Sequence, residues 1–407
     1  MKIAIISGTF QPEFGGMAGH AYQVARYFAQ KGHRITIFAR KGFCSKLNES
    51  NINVTPLLSH RFPTLDCFLL RYKLKKIKPE WMHITEAGLA YRTITKRYPS
   101  LVRVVGNDFL KPWAGFNLPL RFLLYRIPSS VIRKNIRSFE VRLRRKIVIN
   151  RLKRVPILTN SEWTRSKLIE NGIPEKNIHA IPGGIDLEIF KPSVEKTFLR
   201  KKYGVDKAQT VFITVASLIE MKGHDVVIEA INRLIKKNGN LHYIIIGEGK
   251  HRSTLEKQVY KNKLNDFVRF TGRLNQHEVA HYYQLSDVYI QISRDVEVIP
   301  GILDNAETMG RTFIEAGACG LPVIASNIGG IPSVVKDDYN GILVQNPRDV
   351  KKIAEAMSSL AGDEKLRYKL GENGLKRAKE EFSWGIICQK IETLMKNDLK
   401  CKEMMET

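Results

Sequence analysis

The sequence predicts an α/β protein made of two doubly wound domains, each a parallel sheet with helices on both faces. Three observations carry that reading. At 407 residues the chain is longer than one hydrophobic core usually serves. Hydrophobic residues make up 43% and charged residues 26%, ordinary globular usage that excludes disorder and fibrous repeats. Each half also repeats a strand, glycine loop, helix rhythm, and such alternation builds parallel sheets.

In the first half, residues 3–7 form a short unbroken apolar run, the pattern of a strand covered on both faces. A glycine loop follows, with Gly8, Gly15 and Gly16. Residues 17–30 then place Ala21, Val24, Ala25, Phe28 and Ala29 at helical spacing. Gly32 ends that helix and residues 34–39 give the next strand, completing a strand–helix–strand unit. The second half opens after Ile189, Phe190, Lys191 and Pro192. Strands are expected there at 211–217, 243–247, 268–271, 288–293, 322–325 and 341–344. Helices are expected at 225–237, 251–261, 276–284 and 311–319. The last segment, 382–395, holds Ile386, Ile387, Ile391 and Leu394 at helical spacing. The expected division is an N-terminal domain at 1–190, a C-terminal domain at 191–381, and a terminal helix in 382–407 packing back across the domains. Open α/β sheets bind ligands beyond the carboxyl ends of their strands, so the site is expected in a cleft between the domains.

Charge separates the halves. The net charge is +26, from 66 Lys+Arg and 40 Asp+Glu. Residues 1–190 hold 33 basic and 12 acidic side chains, a net of +21, whereas 191–407 hold 33 and 28, a net of +5. The basic half is expected to seek an anion: nucleic acid, membrane phospholipid or a phosphorylated substrate. No stretch approaches the ~18 uninterrupted apolar residues that a membrane span needs. The N-terminal run reads as a first strand and not a signal peptide, since Gly8, Gln11, Pro12 and Glu13 follow without a cleavage-like site. Five scattered cysteines show no paired metal spacing and fit a reducing cytosol. No histidine pair has a carboxylate at metal-ligand spacing, so no metal is expected. His20 could face the cleft, but a place on the surface of its helix is the commoner case and the expectation.

The densest chemical signal lies at residues 307–325, ETMGRTFIEAGACGLPVIA, followed by Gly329 and Gly330. Glu307 precedes a helix and Glu315 lies a turn or so inside it. Gly310 lets the backbone approach a ligand, and the free amides of the helix start attract an anion. Two carboxylates beside an anion site suit a ligand with phosphates and several hydroxyls, because amides hold the phosphates while carboxylates accept from the hydroxyls. In isolation such a pair is more often a solvated Glu307 and a structural Glu315.

The pair is not isolated. The stretch resembles the Glu-x7-Glu motif of family 4 glycosyltransferases, including Gly310, Glu315, Ala316 and the later glycine pair. Gly15 and Gly16 resemble that family's first glycine loop. Residues 161–164, 183–186 and 190–192 resemble its interdomain approach, and Ser217, Leu218 and Lys222 to Asp225 its phosphate-binding turn. Residues 247–249 and 270–272 also match, so the similarity runs from about residue 3 to 347. The resemblance implies the GT-B fold, two Rossmann-like domains, and a retaining, metal-independent transfer of a hexose-type sugar from a nucleotide-diphosphate sugar, UDP- or GDP-linked. It implies no cofactor beyond that co-substrate, and no clustered Asp-x-Asp occurs here.

The resemblance also implies roles. Glu307 contacts the donor sugar near the reacting centre, and Glu315 binds the ribose hydroxyls. Lys222 neutralises the diphosphate as leaving group. Gly16 lets the first domain's backbone reach the donor phosphates. The base lies near Gly272, Arg273 and Leu274, and Met309, Gly310, Arg311 and Thr312 are further donor-binding residues. Where relatives pair the lysine with an arginine, this chain has Ser217: either a single cation suffices, or Arg273 or Arg311 compensates, or the donor is bound more weakly. Where relatives have a histidine before a glycine, it reads Val105 and Gly106, and Ser333 replaces a common glutamate. Asp108 is then the nearest polar candidate for activating the acceptor hydroxyl. Retention is implied to occur at the donor's front face, the leaving phosphate helping to deprotonate the acceptor.

Residues 118–154 hold twelve Lys+Arg and one acid, Glu140. Ile132, Ile136, Phe139, Leu143 and Ile147 fall on one helical face, with arginines on the others. A cationic amphipathic segment suits a lipid interface, with Arg133, Lys134, Arg137, Arg144, Arg145, Arg151 and Arg154 as contacts. The alternative is an apolar face packed on the first domain under solvated arginines. With the resemblance, the expectation is a cytoplasmic enzyme, peripheral at the inner face of the plasma membrane. Its acceptor would be lipid-linked or a polysaccharide, in cell-surface polysaccharide, lipopolysaccharide or glycolipid synthesis. The competing readings are a nucleotide-sugar epimerase and a non-catalytic basic binding protein on the same fold. A nicotinamide dehydrogenase lacks its glycine fingerprint here. No nucleic-acid module is recognisable, so nucleic acid is not an expected partner.

Overall fold

The computed structural model describes residues 1–407 apart from 11–15, 43–48, 60–62, 111–129, 207–208, 237–238, 297–305 and 407. It divides into two compact units, one of Met1–Pro182 with Gly385–Thr407 and one of Gly183–Val296 with Asn305–Trp384. The second unit thus begins a little ahead of residue 191. Ile185 explains why: its N–H donates to the Phe382 carbonyl at 2.8 Å, and its side chain is buried in that unit's core.

The first unit has a seven-stranded parallel sheet in the order β3-β2-β1-β4-β5-β6-β7. Its strands are β1 (Lys2–Ser7), β2 (Arg34–Arg40), β3 (Ile52–Leu58), β4 (Trp81–Ile84), β5 (Ser100–Val104), β6 (Ile157–Thr159) and β7 (Ile178–Ala180). The chain runs outward from β1 to β3, then returns to β4 and runs the other way. The strand order therefore reverses between β1 and β4. Residues 3–6 are buried throughout, as their unbroken apolar run requires. The helices are α1 (Gly16–Gln30), α2 (Pro63–Ile77), α3 (Arg92–Thr95), α4 (Asn107–Leu110), α5 (Ser130–Leu152) and α6 (Glu162–Glu170). Ser161 caps α6 by accepting the Thr164 N–H at 3.2 Å.

The second unit has a six-stranded parallel sheet in the order β10-β9-β8-β11-β12-β13. Its strands are β8 (Thr210–Val215), β9 (Leu241–Ile246), β10 (Val268–Gly272), β11 (Val288–Gln291), β12 (Val323–Ser326) and β13 (Gly341–Val344). Its helices are α7 (Lys196–Lys202), α8 (His224–Ile235), α9 (Arg252–Lys261), α10 (Gln276–Leu285), α11 (Arg311–Ala318), α12 (Val350–Gly362) and α13 (Glu364–Glu381). Here the order reverses between β8 and β11, so the crevice lies beyond Val215 and Gln291. The expected strands and helices of this half all form, with ends shifted by a few residues. The pair α12 and α13, and strands β3 to β7, were not anticipated.

The last helix, α14 (Trp384–Glu406), runs past the 382–395 stretch whose spacing marked it and lies from Gly385 onward with the first unit. Ile387, Ile391 and Met395 bury one face. Glu392 accepts from Tyr27 on α1 at 2.8 Å and from Lys31, just past the end of α1, at 2.5 Å. Those bonds, with Lys396, hold its carboxyl at about 2, well below the usual range.

Candidate active site

At the second unit's crevice the chain leaves β8 and makes a single tight turn at Glu220–Lys222. Gly223 follows with φ 67°, and a Cβ there would overlap the Ile292 carbonyl oxygen. Only glycine fits, and the turn projects Lys222 before α8 begins. Lys222 Nζ lies 2.5 Å from Glu307 Oε2, joining two residues 85 positions apart. Gln291 Nε2 donates to the same oxygen at 3.0 Å and Ser293 Oγ at 3.4 Å. Glu307 is 8% exposed, so this ion pair is largely desolvated. The Gly330 N–H donates to the Glu307 carbonyl at 2.8 Å, which gives the glycine pair a structural task.

Gly310, at φ 85°, caps α11 and frees the first amides of that helix. Thr312 Oγ1 bonds the Tyr289 hydroxyl at 2.7 Å. Glu315, the fifth residue of α11, accepts from Tyr283 at 3.1 Å. Burial pushes its carboxyl up from the ordinary value, against the opposing pull of Arg311 and the tyrosine. Arg311 lies 6.0 Å from the Trp384 ring, and burial lowers its guanidinium's affinity for a proton. Met309 is buried, with its sulfur taking the Gly183 N–H at 3.1 Å. Ser217 is exposed, and its carbonyl bonds His224 Nε2 at 3.2 Å. Leu274 packs on the core beside exposed Arg273. Lys222, Glu307, Met309, Gly310, Thr312 and Glu315 thus gather around β11 and α11, while Ser217, Arg273 and Leu274 follow strands β8 and β10.

The first unit's crevice holds a different pair of acids. Asp108 Oδ1 accepts from the Val105 N–H and Oδ2 from the Ala87 N–H, each at 3.0 Å. Glu86 Oε1 accepts the Gly8 N–H at 2.9 Å, and a Cβ on Gly8 would overlap that carboxylate. Burial pushes both carboxyls up, and the charge of Asp108 adds to the effect on Glu86. Glu86 escaped the sequence reading. Its one signal is an acid just past the buried run of β4, and the partner, Gly8, follows β1 by one residue. Gly16 supplies backbone at the start of α1, and Gly15 lies outside the described residues.

His20 corrects an expectation, being 1% exposed and not on the helix surface. Its Nε2 lies 2.9 Å from His83 Nε2, and His83 stacks on Trp81. Burial, reinforced by Arg103, drives the His83 imidazole down to about 3. Among the described residues no group of three or more His, Cys, Asp or Glu could hold a metal ion.

Helix α5 buries Val141, Val148, Ile149 and Leu152, whereas Phe139 and Leu143 are 69% and 40% exposed. The predicted apolar stripe is therefore not the packed face. Arg144 pairs with Glu140, and Arg145 is half-buried. Arg151 lies 5.4 Å from the Tyr91 ring and reaches the Gly88 carbonyl. Burial depresses the guanidinium pKa of both Arg145 and Arg151. Arg154 is exposed, as are Arg142, Lys146 and Lys153. The side chains of Arg133, Lys134 and Arg137 lie outside the described residues.

Comparison with known proteins accords with this geometry. Residues 195–377 match the family model described as Glycosyl transferases group 1, and residues 14–189 match Glycosyltransferase Family 4. A GDP-mannose-dependent alpha-(1-6)-phosphatidylinositol monomannoside mannosyltransferase of Mycobacterium tuberculosis is 28% identical over 58% of this chain and 60% of its own. The chain thus spans less than two thirds of the length of the curated relatives it matches. Among solved structures, sucrose-phosphate synthase from Thermosynechococcus elongatus superposes with a TM-score of 0.76 at 20% identity, over 97% of this chain and 98% of the other. A glycosyltransferase from Rickettsia africae gives 0.72 at 20% identity, over 98% of both chains. Two family models cover successive halves and the whole chain shares the architecture, so this protein belongs to the family 4 glycosyltransferases of GT-B fold.

Proposed function

We propose that the protein is a retaining, metal-independent hexosyltransferase that moves a sugar from a nucleotide-diphosphate donor to a hydroxyl of a lipid-linked or polysaccharide acceptor. The observation that carries this is the Lys222–Glu307 pair at 2.5 Å, set beside the free N-terminus of α11 with Glu315 farther along the same helix. A diphosphate is drawn to the ammonium and the helix amides. Lys222 then stabilises the leaving phosphate while Glu307 faces the sugar, and Glu315 accepts from the ribose. Arg273 and Leu274 lie near the base. Asp108 is the nearest acid to an acceptor hydroxyl on the first unit, but both its oxygens already accept backbone N–H groups, and the leaving phosphate is the acceptor's base in this reading. The mycobacterial relative, named as GDP-mannose-dependent and acting on a phosphatidylinositol mannoside, favours GDP over UDP and a glycolipid acceptor.

The test is a melting-temperature panel of GDP-, UDP-, ADP- and TDP-sugars, since a ligand bound only by the folded state raises its stability. A shift with one base, lost in Glu315→Ala, supports the donor site; no shift with any sugar refutes it. Transfer unchanged by EDTA and an axial product anomer from an axial donor sugar check the metal-independent and retaining parts.

A peripheral position at an anionic membrane surface on the cytoplasmic side belongs to the same proposal. No helix among the described residues is long and apolar enough to cross a membrane. The exposed face of α5 carries Phe139, Arg142, Leu143 and Lys146, and Arg154 is exposed just past its end, the cationic and apolar mixture that suits a lipid interface. Reversal of Arg142, Lys146 and Arg154 to Glu is expected to abolish flotation with anionic liposomes. Unchanged flotation refutes membrane contact through this helix.

A further inference from the structure

Three donors converge on one oxygen of Glu307 and none on the other. Lys222, Gln291 and Ser293 all reach Oε2, and among the described residues Oε1 accepts nothing. Gln291 ends β11 and is 1% exposed. Its Nε2 serves Glu307 Oε2 and, at 2.8 Å, Ser293 Oγ. Its Oε1 takes the Tyr289 hydroxyl at 2.9 Å. The amide orientation is fixed by chemistry, because turning it over would set Oε1 against a carboxylate. Tyr289 is itself held by Thr312, in the first turn of α11.

We propose that Gln291 is the positioning residue for Glu307, holding Oε2 so that Oε1 faces a donor-sugar hydroxyl, and keeping that hold when Lys222 turns to the diphosphate. This rests on the transfer reading above. A diphosphate carries more charge than one carboxylate and draws the ammonium toward it. A carboxylate left without donors in a dry site would turn away or take up a proton. The Gln291 amide is carried on a strand and tied at both ends, so it does not follow the lysine. Being neutral, it also offers the phosphates no competing charge.

Two variants test this, with GDP-mannose and UDP-glucose as donors and transfer or donor hydrolysis as readout. Gln291→Leu removes the amide at similar volume. Its kcat is expected to fall about 10- to 100-fold, the range for one lost hydrogen bond to a buried charge. Donor KM and the calorimetric affinity for GDP or UDP are expected to stay within about threefold, since nucleotide contacts are untouched. Gln291→Glu keeps the shape but donates only when protonated. It is expected to be slow at about pH 8 and to regain about tenfold toward pH 6, where two facing carboxylates share a proton. Lys222 and Tyr289, the other titratable groups facing Glu307, are intact in both variants. A wild type inert toward both donors overturns the transfer reading, and this inference with it. An active wild type with full kcat in Gln291→Leu, or no low-pH gain in Gln291→Glu, overturns the inference alone. If the leucine variant does not fold, the glutamate variant's pH profile decides.

Discussion

The two units repeat one sheet logic yet hold their acids in opposite ways. In the second, Glu307 meets an ammonium, a side-chain amide and a hydroxyl, and Glu315 a tyrosine hydroxyl. A ligand can compete with such partners. In the first, Glu86 and Asp108 are tied to the backbone of Gly8, Ala87 and Val105. Those amides lie in the main chain just past β1, β4 and β5. A carboxylate held by side chains is poised to exchange partners, whereas one held by backbone braces the loops it joins.

The largest expected effects separate these roles. Lys222→Ala and Glu307→Gln are each expected to lower kcat for sugar transfer about 1,000-fold, the scale for losing a group aimed at developing charge. Melting temperature reports whether either loss is mere unfolding. Asp108→Asn removes one of two acceptors facing backbone donors and turns an N–H toward the other. As a brace it is expected to cost about 1–3 kcal/mol of stability, with a smaller loss of rate and no new limb in the pH profile. A full loss of transfer at unchanged melting temperature would break the comparison and make Asp108 the acceptor's base.

The next effects come from two glycines with different obstacles. At Gly223 a side chain meets backbone, the Ile292 carbonyl, at a positive φ. Neither can yield, so Gly223→Ala is expected to destabilise by about 3 kcal/mol or more. At Gly8 the obstacle is the Glu86 side chain. Gly8→Ala is expected to cost about 1–2 kcal/mol, partly recovered by adding Glu86→Ala, since contacting sites do not add. Denaturant midpoints of the single and double variants give the coupling. Strict additivity would mean that Glu86 does not rest on Gly8.

Much of this was legible in the sequence because it is local. The run at β1, the alternation from β8 to β13, and the 307–330 stretch each declare themselves within a few residues. Glu86 did not, because its meaning arises only when sheet pairing brings β4 beside β1, 78 residues away. His20 is likewise buried by His83, from a distant strand. On α5 periodicity marked a stripe through Phe139 and Leu143, but the buried face is set by what the rest of the unit offers. Val141, Val148 and Leu152 found that partner, and Arg151 settled on Tyr91. Gln291 was unreadable for a related reason. An amide in a buried strand reads as a weak strand residue until Glu307 is seen above it.

The smallest expected effect concerns acid. Burial brings the His224 imidazole down to about 4, helped by Lys222 and opposed by the bond to the Ser217 carbonyl. Among the described residues its Nδ1 has no partner, so a second proton there would be a buried, unpaired charge. The unfolded chain takes that proton near the ordinary value of 6.5, and the folded chain does not until about 4. The stabilising contribution is thus complete above about pH 6.5 and is lost progressively as pH falls toward 4. The raised carboxyls of Glu86, Asp108 and Glu315 work in the opposite direction, since the folded state binds their protons first. The net slope of a melting curve therefore mixes both signs, and a single variant isolates one. His224→Gln keeps a donor for the Ser217 carbonyl and removes the titration. Between about pH 7.5 and 5.5 it is expected to lose about 2–4 °C less in melting temperature than the wild type. An equal loss in both proteins would mean that His224 is protonated in the folded state, with water or Asp225 sharing its Nδ1.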